Sequence, residues 1–348
     1  MPVQARRVFR LSFTVALSLA AAYALQVPLP FLAPLFAVML TAAPNPPLGP
    51  RQLAGLIVIV LLTMGIGLLL TPMLDKYPVS AVLLVSLGVY FSMYLVVGKD
   101  KLLLGTFLAI GMTLMTAAGV VSLALATTVI KALAMGIGLA IICHWLVYPW
   151  FPEDNSHDDA PASAFGTVRD SKWIAVRATL IVMPAYLLTL TNPMMYLPLI
   201  MKSIALGQQS SVVDARNAGR ALLGSTLTGG MLAILFWVLL DLVTNLWMFA
   251  LWMLLFGVYL AGKLYQVFPG RHSEAYWKDV WVTILLLLGP AVEDSASGDD
   301  VYAAFFVRIS LFIVVTLYAW FMIAGLEHLR ERKRVSHGLS DRQLEQGI

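Results

Sequence analysis

Val301–Leu326 reads VYAAFFVRISLFIVVTLYAWFMIAGL, an apolar run with one charge inside it. About 20 apolar residues suffice to cross a bilayer's hydrocarbon core, so the stretch predicts a transmembrane helix. It runs on into HLRERKR, His328–Arg334, the basic flank expected of a cytoplasmic helix end. Arg308 lies about 6 residues in from the opposite end, roughly 9 Å down a helix. An unpaired charge at such a place costs about 2.5–3.5 kcal/mol on insertion scales. Either the side chain snorkels to the outer interface or a fixed positive charge is put to use there.

Composition carries the membrane reading to the whole chain. Of 348 residues, 60% are hydrophobic and 12% charged, and the mean hydropathy is +0.84. A soluble domain has about 25% charged residues. The single cysteine, Cys143, excludes an internal disulfide and a cysteine zinc cluster. Arg6, Arg7 and Arg10 lead into the first apolar run, with Ala22-Tyr23-Ala24 mimicking a cleavage site. A first transmembrane helix starting in the cytoplasm fits better than a cleaved signal or twin-arginine leader, because the rest of the chain is also apolar.

The apolar runs predict an all-α, polytopic protein of about 12 transmembrane helices. The first half offers roughly 9–26, 29–43, 52–71, 79–97, 102–121 and 124–149; the second roughly 173–190, 194–207, 217–240, 246–262, 278–291 and 301–326. Lys and Arg then fix the orientation. Arg51, Lys99, Lys101, Arg169, Lys172, Arg216, Arg220, Lys263, Arg271 and Lys278 fall on the side of both termini. Lys76 alone faces outward, with Asp75, Glu293, Asp294, Asp299 and Asp300. Both termini are therefore expected inside.

The domains follow: 1–150 as a first six-helix half, 151–171 as a polar, acidic, proline-bearing cytoplasmic linker, 172–327 as a second half, and 328–348 as a cytoplasmic tail. His157 beside Asp158 and Asp159 in the linker fits no metal-ligand spacing, and no metal or cofactor is expected. The halves share an order of features. Arg10, Pro34 and Arg51/Gly55 in the first answer to Arg177, Pro198 and Arg220/Gly224 in the second. Each closes on a span with an embedded base, Lys131 and then Arg308. Six spans per half make the repeats parallel, and broken helices at matching places point to a transport site.

Lys131 shares a helix face with Thr127, Thr128, Ala134 and Gly138, a small and polar stripe expected to face protein or water. Lys202 is a third embedded base, with Gln208, Gln209, Ser210 and Ser211 nearby. Gly224 to Gly230 is a small-polar stretch explained by close helix packing. Arg51 and Arg220 sit at inner helix starts, where the helix dipole disfavours a cation, so a lipid phosphate or another partner is expected. No Walker A, HExxH or GxSxG motif occurs, and nothing argues for an enzyme. No Asp or Glu falls in the middle of a proposed span, which leaves His144 as the embedded proton carrier.

The proline-broken second helix, the RxxxG start of the third and the base early in the sixth resemble the aromatic acid exporter and fusaric acid resistance (FUSC-like) superfamily. Here those are Pro34, Arg51/Gly55 and Lys131, then Pro198, Arg220/Gly224 and Arg308. The resemblance covers most of 6–327 and is to a short form without the soluble cytoplasmic domain. It implies a Gram-negative inner-membrane exporter of aromatic carboxylic acids, working with a periplasmic adaptor protein. Related plant proteins are anion channels.

The expectation is then export of a small organic anion held between Lys131 and Arg308, with Phe305 and Phe312 against its ring. Moving one negative charge outward gains about 2.3 kcal/mol per 100 mV, so uniport or a channel needs no protons. A non-transporting, lipid-binding scaffold is the alternative from another class. A major facilitator is disfavoured because PNPPLGPRQ lacks that family's acidic-basic loop. Membrane lipids and a second copy of the chain are further expected partners; nucleic acid is not.

Overall fold

The computed structural model describes residues 2–43, 45–99, 101–153, 168–209, 215–270, 272–298 and 300–345. Side chains at 168–170, 194, 209, 215–220 and 329–345 are not among the described ones, nor is most of the linker with His157. Among the described residues the regular structure is helical. In chain order the helices are α1 (Val3–Ala24), α2 (Leu32–Thr41), α3 (Pro50–Lys76), α4 (Pro78–Lys99), α5 (Leu102–Val121) and α6 (Leu123–Val147). After the linker come α7 (Val168–Thr191), α8 (Pro193–Gln209), α9 (Ala215–Leu242), α10 (Leu246–Leu264), α11 (Glu274–Ser297) and α12 (Val301–Glu345).

Ten of these helices are long and apolar enough to cross a membrane. The two that fall short are α2, with 10 residues, and α8, with 17. At 1.5 Å per residue they reach about 15 and 25 Å, less than the hydrocarbon thickness of about 30 Å. Of the expected twelve, ten therefore have the length and composition of a membrane span. Pro28 and Pro30 precede α2, which starts at Leu32 with Pro34 in its first turn, and the turn before it carries left-handed backbone at Gln26 and Leu29. Such irregular backbone is tolerable at membrane depth only where protein surrounds it. Leu32 to Val38 are indeed all buried.

Local chemistry sets the other helix ends. The Ser122 and Asn245 side chains accept from backbone N–H groups at the starts of α6 and α10, at 3.0 and 2.7 Å. Asp300 accepts from Tyr302 and Ala303 at 3.0 and 3.2 Å to open α12. Ser273 opens α11, which begins at Glu274 rather than near 278, so Lys278 and Asp279 lie a full turn inside it. Gly298 ends α11 in the left-handed conformation that favours glycine. The helix of α12 runs past Leu326 to Glu345 without a break where a separate tail was expected.

Packing follows one scheme. Within the first six helices α1 lies on α2 and α6, and α3 on α5 and α6; α7, α8, α9, α11 and α12 pair in the same way. Between the two sets α1 lies along α10 and α7 along α4, while α2 meets α11 and α8 meets α5. Glycine permits the tightest crossing. A Cβ on Gly67 of α3 would stand 1.8 Å from the Gly111 carbonyl oxygen of α5. There α5 is wound as a π-helix over Gly111–Met115.

Candidate functional site

The four helices at the seam, α2, α5, α8 and α11, enclose a cavity of about 280 Å³, with Val96 of α4 closing one side. Leu35, Phe36, Met39, Ile110, Ile204 and Leu286 make most of its wall apolar. Its polar wall is Thr106, Gln208, Lys278 and Asp279. Gln208 of α8 donates to Thr106 of α5 at 2.7 Å, joining the two sides of the seam. Lys278 is half-buried in this wall and, among the described residues, has no hydrogen bond or ion pair. An apolar hollow with one uncompensated ammonium is suited to an amphipathic anion.

Asp279, the next residue, is engaged. Lys202 of α8 donates to its two carboxylate oxygens at 2.9 and 2.7 Å, and to the Thr283 hydroxyl at 2.8 Å. Ser225 of α9 donates to Oδ2 at 2.6 Å. Lys202 is fully buried and Asp279 only 1% exposed. A buried pair survives desolvation only when its remaining hydrogen-bonding capacity is filled, and here two hydroxyls fill it. The small-polar face of α9 serves packing and bonding together: Gly229 lies against Thr283, Thr226 bonds Thr316 at 3.2 Å, and Thr228 bonds the Tyr276 hydroxyl at 2.8 Å.

The other expected site residues lie elsewhere. Arg308 forms a two-pronged ion pair with Asp294 of α11, one arm at 3.1 Å. Its cost in the membrane is met by an acid that the sequence reading placed in an outer loop. Lys131 does not face Arg308 across a pathway. It is exposed with Thr127 and Thr128, whose hydroxyls bond only the Ala124 carbonyl of their own helix. The helix α6 packs on α1, α2, α3 and α5, and α12 on α7, α8, α9 and α11, so the two bases belong to different neighbourhoods. Phe305 is buried against Trp237 with ring centroids 5.9 Å apart, and Phe312 is in the core; neither lines the cavity.

His144 is buried edge-on to Tyr148, away from the cavity wall. Arg51 is exposed beside an open Gly55, and Gly224 packs on the Tyr276 ring. The Arg220 side chain lies outside the described residues.

Further ion pairs tie the first helix of one set to the stretch after α6 and the first helix of the other to α12 itself. Arg10 meets Glu153 at 2.8 Å, joined by Arg7, and lies 5.6 Å over the Tyr148 ring. Arg177 meets Glu327 at 2.7 Å. Burial works against the charge on Glu153, but the guanidinium groups of Arg7 and Arg10 outweigh it and hold its carboxyl below the usual range.

Sequence reasoning singled out Lys202 and missed Lys278 and Asp279. The signal that could have found them is Ser273 followed by Glu274, a cap that starts α11 one turn before the hydrophobic run.

A family model described as "Protein of unknown function (DUF2955)" matches residues 7–147, the stretch from α1 to the end of α6. No curated protein and no solved structure matches the chain.

Proposed function

We propose that this chain is a transporter of small organic anions, exporting aromatic carboxylates or related toxic acids through the seam cavity. The observation that carries the reading is the Lys278 ammonium, without a partner among the described residues, in the wall of a largely apolar hollow. About 280 Å³ lies just under the roughly 300–1,000 Å³ of sites for drug-sized ligands, which suits a single-ring acid. The reciprocal contacts of α1 with α10 and α4 with α7, and the short, proline-bearing α2 and α8 at matching places, support two parallel six-helix repeats around this cavity. The family match ending at the close of α6 supports a boundary near 150. Membership of the aromatic acid exporter and fusaric acid resistance superfamily belongs to the same proposal, as do a bacterial inner-membrane location, a periplasmic adaptor and a homo-oligomer. With both termini in the cytoplasm, the cavity lies toward the inner ends of α5 and α11, where Leu102 and Ala275 line it.

The test is efflux of labelled benzoate from vesicles carrying the purified protein, with binding measured in parallel. Lys278→Met is expected to weaken benzoate binding roughly 30-fold or more, the loss of about 2 kcal/mol from a buried charge contact, and to slow efflux accordingly. Equal binding and efflux by a well-folded Lys278→Met protein would sink the assignment.

A further inference from the structure

The seam cavity is longer than a round hollow of about 280 Å³ could reach. Its wall runs from Leu102 to Ile110 on α5 and from Ala275 to Leu286 on α11, about 12 and 16 Å at 1.5 Å per residue. One end is open and the other closed: Leu102 is exposed, whereas Ile110, Val282 and Leu286 are buried. Polarity follows the same axis. Beyond Thr106 on α5 comes Ile110, and beyond Lys278 on α11 come Val282 and Leu286. On α8, which runs the other way, Ile204 and Met201 lie deeper than Gln208. Among the described residues Phe36 is the one ring in the wall, and it is tilted against Phe107 with centroids 5.8 Å apart. No two rings therefore face each other to sandwich a flat substrate. The aliphatic remainder includes Met39 and Met201, whose side chains adapt to a bending chain.

We propose that the seam cavity takes a straight-chain monocarboxylate of about eight to ten carbons, bound tail first with its carboxylate on Lys278 toward the open end. This rests on the transport reading above and names the class of anion that fills the site best. An extended chain with C–C bonds of about 1.5 Å advances about 1.25 Å per carbon, so the roughly 12 Å from Lys278 to Leu286 sets that length. Benzoate is shorter and leaves the level of Leu286 empty. Each further methylene buried there is worth about fourfold in affinity. The closed end also restricts charge. A second carboxylate at the tail would lie among Ile110, Val282 and Leu286, side chains with no donor to offer it, so a dicarboxylate of the same length is rejected. A neutral alcohol of that length fills the hollow but leaves the Lys278 ammonium without a counter-charge.

The experiment is equilibrium binding of labelled benzoate and of the series from butanoate to tetradecanoate to the full-length protein in lipid nanodiscs. Binding to empty nanodiscs is subtracted, and the pH is held near about 7, where carboxylic acids are ionised. Kd is expected to fall about fourfold per added carbon as far as octanoate or decanoate, then to level or rise. Octanoate should bind more tightly than benzoate, and at least about tenfold more tightly than octanol or suberate, the eight-carbon dicarboxylate. Leu286→Phe fills the closed end and should move the optimum to a shorter chain. Should that variant fold poorly, the series on the wild type decides alone. Benzoate binding with a Kd for the chains that does not depend on length overturns the inference and leaves the transport reading standing. Suberate bound as tightly as octanoate, or an optimum unmoved in folded Leu286→Phe, overturns it too. A fall that continues unbroken to tetradecanoate reports partition into lipid and likewise overturns it. Binding of neither benzoate nor any chain removes both.

Discussion

Lys202 is fully buried, and its ammonium is held by three oxygens between 2.7 and 2.9 Å away. Removing one member of a buried pair strands the other, at a cost of about 3–5 kcal/mol, whereas replacing both by apolar residues is often neutral. Lys202→Met or Asp279→Leu alone should therefore lower the unfolding temperature in detergent sharply, and the double variant should recover most of the loss. Glu153 supplies a pH prediction. Its folded pKa is depressed, so its contribution is present above the ordinary glutamate value of about 4.3 and lost as pH falls through the lower folded value. Acid unfolding of Glu153→Gln should show a shallower pH dependence than the wild type below about pH 5. A lone lysine after Pro198 was legible as embedded because its neighbours are apolar. Asp279 was not, because a Lys-Asp pair at the edge of a hydrophobic run looks the same whether the helix begins before it or at it.

Among the elements α11 carries the most chemistry. Asp279 and Asp294 are fifteen residues apart on it, about 22 Å along its axis, and each holds a base from a different helix. Reading Asp294 as an outer-loop residue made Arg308 look like a base without an acid. The existence of most helices was legible from hydrophobic run length alone. The depth of α2 was not, since Pro28 and Pro30 take up part of its apolar stretch before the helix begins at Leu32. The α3–α5 crossing yields a paired prediction. Gly67→Ala forces a methyl against the Gly111 carbonyl and should destabilise by about 1–3 kcal/mol. Gly65→Ala meets nothing within 4 Å and should be neutral or gain up to about 1 kcal/mol of helix propensity, checked by thermal unfolding of the two variants side by side.

For the whole molecule, the order of features in the two halves was legible as Arg10 with Arg177 and Pro34 with Pro198. The seam was not, because it depends on α1 crossing to α10 and α7 to α4, contacts between residues far apart in the chain. Sequence matching therefore set Lys131 opposite Arg308, and folding separated them. Lys131→Gln should change benzoate efflux by no more than about twofold, the range of an exposed substitution away from the site. An imposed potential of about 100 mV, positive outside, should speed efflux of a lone anion, which it drives with about 2.3 kcal/mol. Vesicles clamped with potassium and valinomycin check this.

Four residues after Pro198 stands Lys202, fully buried; four after Pro34 stands Val38, equally buried and with nothing to ionise. The cavity wall shows the same inequality, with Lys278 and Asp279 on α11 facing Leu102, Leu103 and Thr106 on α5. Around the cavity the charges thus stand on one side only. The consequence is a stoichiometry: each chain should saturate with a single anion, where two matched halves would have taken two.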